Sequence, residues 1–313
     1  MSTTHNVCIV LGTRPEAIKL APVIQAFRQA PDFHTRVVLT GQHREMVAQV
    51  MALFGLQADH DLALMAPKQT LTHITCGALQ GLQDEFEQHR PGLVLVQGDT
   101  TTAFASALAA FYAQIPVGHV EAGLRTDNLY DPYPEEANRR LISQLAQLHF
   151  APTPVSAANC RASGVVGAVM VTGNTVIDAL LQMAEQAPPY ELPGLDWQRQ
   201  RVILATVHRR ENWGERLQEI GQGFLQLLER FPDTALLLPL HRNPTVREPV
   251  DAGTAKLIGT AAADIERETA LLLESPAAYE AMARAHNPFG DGQASRRIVE
   301  ASRAFLCSGL SGC

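Results

Sequence analysis

Four carboxylates, Asp99, Glu121, Glu135 and Glu136, stand with His119 in residues 96–140, and acids gathered in this way suit proton transfer. Neighbouring charge and burial push one carboxyl pKa up and leave another low, which separates a proton donor from an acceptor. Each acid also has an ordinary use. Asp99 could cap a helix starting at Thr101, and Glu135 and Glu136 could merely open the next helix. A second group is cationic: Arg14 and Lys19 follow a strand and a Gly12 turn, where helix N–H groups and positive side chains can hold a pyrophosphate. Both could equally be solvated surface charges. His208, Arg209 and Arg210 follow a strand in the second half, where guanidinium donors suit a doubly charged diphosphate. The alternative is a salt-bridged surface loop. Gln42 with His43, and His241 with Arg242, also fall at strand ends, where polar side chains face a cleft.

The elements that must position these groups are legible as alternating strands and helices. Apolar runs 93–96 and 115–120 lead into Asp99 and Glu121 and read as parallel strands. Their carboxyl ends are where ligands sit in open α/β sheets. Further strands are predicted at 7–11, 37–40, 148–151 and 169–172, with helices between them from about Ala17, through Met46 and Phe54, over 70–87, over 155–161 and through Ile177 and Leu180. The first half is therefore an α/β, doubly wound parallel sheet. Residues 187–194, rich in Pro, break every period and mark a boundary, giving a Rossmann-like domain at 1–186 and a second at 187–313. The second half offers strands at 202–206 and 235–240 around a helix over 216–231. From Asp251 onward only helices are predicted, at 265–273, 277–283 and 298–305. Such a sheet is incomplete, and these helices would lack a sheet face to cover.

Composition narrows the partners. The 313 residues carry 25 basic and 32 acidic side chains, a net charge of -7, with no Lys/Arg-rich run to track phosphates, which argues against nucleic acid. The 5 cysteines are an odd number without a CxxC pair and fit free thiols in a reducing cytosol. The sequence MSTTHN lacks the basic patch of a signal peptide, and the run 7–11 is too short to span a bilayer. A soluble, cytoplasmic protein without membrane attachment is expected. The histidines are scattered, so no metal is expected either.

Ten strings then occur in order along nearly the whole chain. They are GTRPEAIKLAPV at 12–23, TGQHREM at 40–46, VQGDTTT at 96–102, HVEAGLRT at 119–126, YPEEANRR at 133–140 and GNTVIDAL at 173–180 in the first half. TVHRREN at 206–212, LHRNPTVREP at 240–249, AGTAKLIGT at 252–260 and AHNPFGDGQAS at 285–295 follow. Together they resemble the non-hydrolysing bacterial UDP-N-acetylglucosamine 2-epimerases. The resemblance implies a GT-B-like pair of Rossmann-type domains, a homodimer, and interconversion of UDP-N-acetylglucosamine and UDP-N-acetylmannosamine. It implies elimination and re-addition of UDP through 2-acetamidoglucal, with no cofactor. Asp99, Glu121 and Glu135 then carry acid/base and substrate roles, and His208 supports the leaving diphosphate. Arg14 and Lys19 match nucleotide-side ligands, and Arg209 is counted with the substrate-binding residues. Gln42 and His241 match a second, activating substrate site.

One departure stands out. The chain runs from Val250 straight to Asp251, where the family carries a further segment of about two strand–helix units, roughly 60–70 residues. In the family that segment holds an Asp-Ser-Gly-Gly motif on the UDP phosphates, and no DSGG string occurs here. An internal deletion after Val250 is the reading, with weak UDP-sugar affinity and impaired turnover expected. The alternatives are a catalytically silent dimer partner and a GT-B glycosyltransferase, the latter disfavoured by the acids around Glu121 and Glu135.

Overall fold

Seven parallel strands carry the acids of the first half. A computed structural model describes residues 4–66, 69–186, 192–207, 215–238, 258, 261–283 and 289–308. The strands are β1 (His5–Leu11), β2 (Phe33–Leu39), β3 (His60–Asp61), β4 (Leu93–Gln97), β5 (Val117–Val120), β6 (Leu148–Ala151) and β7 (Ala168–Val171). They lie in the order β3-β2-β1-β4-β5-β6-β7. Winding therefore reverses between β1 and β4, and the carboxyl ends of that pair are where open α/β sheets bind their ligands. The connecting helices are α1 (Arg14–Gln29), α2 (Arg44–Leu53), α3 (Leu71–Gln88), α4 (Thr101–Tyr112), α5 (Glu135–Leu145), α6 (Pro154–Ala162) and α7 (Thr175–Gln186).

Both faces of this sheet are covered, which explains the unbroken apolar runs. Val7, Ile9 and Leu11 enter one core with α1 residues such as Leu20 and Phe27. Cys8 and Val10 enter the opposite core with Ala103 and Ala107 of α4. Strands buried on both sides cannot alternate apolar and polar residues. At the switch point the turn before α1 must be tight: a Cβ on Gly12 would meet Thr40 Oγ1 at 2.1 Å and Thr102 Oγ1 at 2.5 Å.

The chain divides into two units, residues 1–186 with 289–313, and residues 187–288. Taken by itself, the second unit contains β8 (Arg201–Leu204), α8 (Glu215–Arg230), β9 (Thr234–Leu237), α9 (Ala262–Glu274) and α10 (Pro276–Ala283). Its two strands pair in parallel. Among the described residues the second Rossmann-like domain is thus incomplete, and α8 packs on α9 through Gly223, where a Cβ would lie 3.0 Å from the Ala262 carbonyl oxygen.

The last helix, α11 (Ala294–Cys307), differs from the sequence reading, which placed 289–313 with the second half. It packs on α1 and α7 of the first unit. Its apolar stripe finds there the sheet-backed face that the short second sheet does not supply: Ile298 and Val299 are buried in the core that contains β1 and α1. Arg303 fastens it through two bonds to Asp32, 2.5 and 3.0 Å long.

Candidate active site

The turns after β1, β4 and β5 supply the central polar groups, each for a local reason. After β1, Pro15 opens α1, and the Glu16 carboxylate accepts the N–H groups of Gly12 at 3.0 Å and Thr13 at 2.7 Å. After β4, Thr100 rather than Asp99 caps α4, accepting the Ala103 N–H at 2.9 Å. Asp99 is therefore not consumed as a cap. The Thr100 hydroxyl also donates to Glu16 at 2.7 Å, so this buried carboxylate ties the two central turns together. Burial pushes the Glu16 carboxyl above its ordinary range, against the hydrogen bonds from Thr100, Gly12 and Thr13.

After β5, Glu121 sits in the left-handed region with φ 65°. A non-glycine residue pays roughly 1–3 kcal/mol for such backbone. The turn aims its side chain at three donors. Lys19 Nζ lies 2.7 Å from Oε1 and 2.5 Å from Oε2. Asn174 Nδ2 donates to Oε1 at 2.9 Å, and Gln97 Nε2 donates to Oε2. In this arrangement Lys19, read as a nucleotide-side cation, is engaged with an acid of the cluster.

Asp99 is held differently. Arg139 Nη2 lies 3.0 Å from its Oδ2, and Asn138 donates to its backbone carbonyl at 2.9 Å. Burial pushes its carboxyl up to about 6, with Glu121 and Glu135 adding to the rise and Arg139 and Lys19 opposing it. An acid with that value exchanges protons close to neutral pH. It also links stability to pH. A carboxyl whose folded pKa exceeds its unfolded one takes up a proton on folding in the interval between them, so its stabilising contribution is lost as pH rises through that interval. For Asp99 the window runs from 3.8 to about 6. Asp99→Asn does not titrate. Its unfolding free energy relative to wild type is expected to rise across that window and level off above it, as read by urea denaturation on both sides; a constant difference would refute the assignment.

The remaining candidates separate cleanly. Glu135 opens α5, and its Oε2 is buried without a hydrogen-bond partner among the described residues. The neighbouring Glu136 is structural, accepting from the Thr126 N–H at 3.0 Å and Arg140 Nε at 2.6 Å. His119 is buried with Nε2 on the Gly98 carbonyl oxygen at 2.7 Å, and burial lowers its pKa to about 3, leaving it neutral. Gln42 Oε1 accepts from Thr102 Oγ1 at 2.8 Å, beside the Gly12 turn. Arg14 lies near His43, whose pKa is lowered by burial and then by the Arg14 charge. His208, Arg209 and His241 lie outside the described residues. Sequence reading passed over Glu16, Gln97, Asn138, Arg139 and Asn174. Each falls within a string quoted above, and the available signal was a polar side chain at or just beyond the end of a strand or in the helix turn facing it.

Among the described residues, no group of three or more His, Cys, Asp or Glu side chains is placed to hold a metal ion. No described helix is long and apolar enough to cross a membrane. The doubly wound sheet with acids, an amine and amides at its strand ends, followed by a shortened second α/β unit, is that of a GT-B-like α/β enzyme class. More narrowly, the chain belongs to the UDP-N-acetylglucosamine 2-epimerase family, whose model matches residues 25–252 and 247–303. The two matched pieces meet where the sequence departs from the family.

Individual relatives agree. The UDP-N-acetylglucosamine 2-epimerase of Neisseria meningitidis is 40% identical over 370 aligned positions, covering 94% of this chain and 98% of that one. That of Escherichia coli K12 is 40% identical over 368 positions, covering 95% and 98%. The crystal structure of the Neisseria meningitidis UDP-GlcNAc 2-epimerase bound to UDP-GlcNAc superposes with a TM-score of 0.80 at 40% identity, covering 96% of this chain and 100% of the other. Alignments of 370 and 368 positions exceed the 313 residues present, so these relatives hold residues without a counterpart here.

Proposed function

We propose that this chain interconverts UDP-N-acetylglucosamine and UDP-N-acetylmannosamine. The observation that carries the reading is the contrast at adjacent strand ends: Glu121 ringed by three donors, and Asp99 with a pKa of about 6. In the forward direction a carboxylate takes the C2 proton while the C1–O bond breaks and its electron pair leaves with UDP, giving 2-acetamidoglucal. UDP then adds back at C1 as a proton is delivered to the other face of C2. Such a cycle returns every proton and needs no nicotinamide. Asp99, Glu121 and Glu135 share the proton work, because taking and returning the C2 proton needs carboxyl groups positioned at the strand ends. By the family resemblance His208 supports the leaving diphosphate, Arg209 is counted with the substrate-binding residues and Arg14 with the nucleotide-side ligands, cations being what a developing diphosphate charge needs. Lys19, matched to the same side, is engaged with Glu121. Gln42 and His241 belong to a second substrate site. The homodimer and the cytoplasmic setting rest on the family resemblance and the composition.

Proton NMR of the chain with UDP-N-acetylglucosamine in deuterated water tests the proposal. Deuterium at C2 together with the manno epimer is expected. A folded chain that yields neither overturns it and favours the silent dimer partner, a reading supported by the shortened second unit.

A further inference from the structure

Asn174 uses both ends of its side chain. Its Oδ1 accepts the Val176 N–H at 3.1 Å at the start of α7, while Nδ2 donates to Glu121 Oε1 at 2.9 Å. The amide orientation is settled by chemistry, since a carboxylate only accepts and a backbone N–H only donates. The residue is 8% exposed, so solvent offers little substitute for either bond. Two amides thus flank the Glu121 carboxylate, Gln97 from β4 on Oε2 and Asn174 from the β7–α7 turn on Oε1. Lys19 reaches both oxygens and by itself does not discriminate between rotations of the carboxylate plane.

The turn that presents Asn174 is clamped by the returning chain. The Asn174 N–H donates to the Phe289 carbonyl oxygen at 2.7 Å. Gly173, with φ 89°, lies so close that a Cβ there would stand 3.3 Å from that same oxygen. Arg297 donates to the Thr172 carbonyl at 3.0 Å and is itself held by Asp291 through two bonds of 2.8 Å. One turn into α7, Asp178 accepts the N–H groups of Ala294 at 3.2 Å and Ser295 at 2.8 Å. The stretch from Phe289 to Arg297 therefore fixes both sides of the β7–α7 turn.

We infer that Asn174 is a positioning residue for Glu121, and that residues 289–297 act on the site by holding Asn174. The inference rests on the reading of Glu121 as a proton-handling acid. Misplacing a reacting group by about 1 Å costs roughly a hundredfold in rate. The effect belongs in kcat, because the side-chain N–H of Asn174 is spent on Glu121.

Asn174→Ser isolates the donor: it keeps an oxygen to cap α7 and removes the N–H that reaches Glu121 without adding charge, whereas Asn174→Asp removes the same N–H and also sets a second carboxylate against Glu121. Both are expected to lower kcat for C2 exchange roughly ten- to a hundredfold, with KM changed less than about threefold. Arg297→Ala is expected to lower kcat by a smaller factor with the same split. Crystal structures supply a readout independent of turnover, and the Glu121 carboxylate is expected to rotate away from Gln97 and Lys19 in Asn174→Ser. An unmoved carboxylate, or wild-type kcat in both Asn174 variants, overturns the inference. Glu121→Gln separates it from its premise: exchange that survives that change removes the role of Glu121 itself. Exchange lost there but intact in the Asn174 variants removes only the positioning role.

Discussion

Glu121→Gln is expected to lower C2 hydrogen exchange by roughly 10²–10⁴-fold, the range removed with a general acid or base. The substitution keeps the side chain's volume, removes its charge and turns one acceptor oxygen into an NH2 donor. Lys19, 24% exposed, then loses the partner it holds through both oxygens. Gln97 and Asn174 each present an amide N–H to what was a carboxylate, and a glutamine side chain offers one carbonyl oxygen to the two of them. The chemical step is lost while the frame beneath it stays folded, because the apolar cores on the two faces of the sheet are untouched by the change. Exchange in deuterated water, followed alongside the circular dichroism of the variant, separates the two effects. A rate within tenfold of wild type would remove Glu121 from the proton path.

The second large effect is on stability. Gly123 follows the same strand with φ 89°, and a Cβ there would stand 2.0 Å from the Ser156 carbonyl oxygen and 2.8 Å from Cys160 Sγ. The obstacle is the backbone of α6, which cannot swing aside as a side chain does. Gly123→Ala is expected to cost about 3 kcal/mol or more, combining left-handed strain with overpacking. Gly164 is the matched control. It has φ 67° with nothing within 4 Å of its added Cβ, so alanine there pays only the backbone term, about 1–2 kcal/mol. Urea midpoints of the two variants measure the difference, and equal midpoints would mean that α6 yields without cost.

Much of this was legible from local pattern. The apolar runs ahead of Asp99 and Glu121 are strands β4 and β5, and both acids stand at their carboxyl ends. Other features depend on partners that no local pattern names. Whether Asp99 or Thr100 caps α4 turns on side-chain geometry one residue apart, and the hydroxyl takes the cap. Asn174 meets Glu121 across 53 residues, and Thr100 meets Glu16 across 84. Strand β3, His60–Asp61, is only two residues long and has no periodicity to read. The destination of α11 was missed for a similar reason: an amphipathic helix declares that it has an apolar stripe, not which sheet lies beneath it. His208, Arg209 and His241 fall outside the described residues, so their part in the site rests on sequence.

The route of the chain through α11 bears on the shortened second unit. Because residues 289–308 complete the core of residues 4–186, the intervening unit is topologically an insertion into the first. The departure after Val250 falls wholly inside that insertion. No strand or helix of the acid-bearing sheet is cut by it, and α11 still reaches its place. The acid-bearing sheet and the helix that closes its core therefore do not depend on the segment that is absent after Val250.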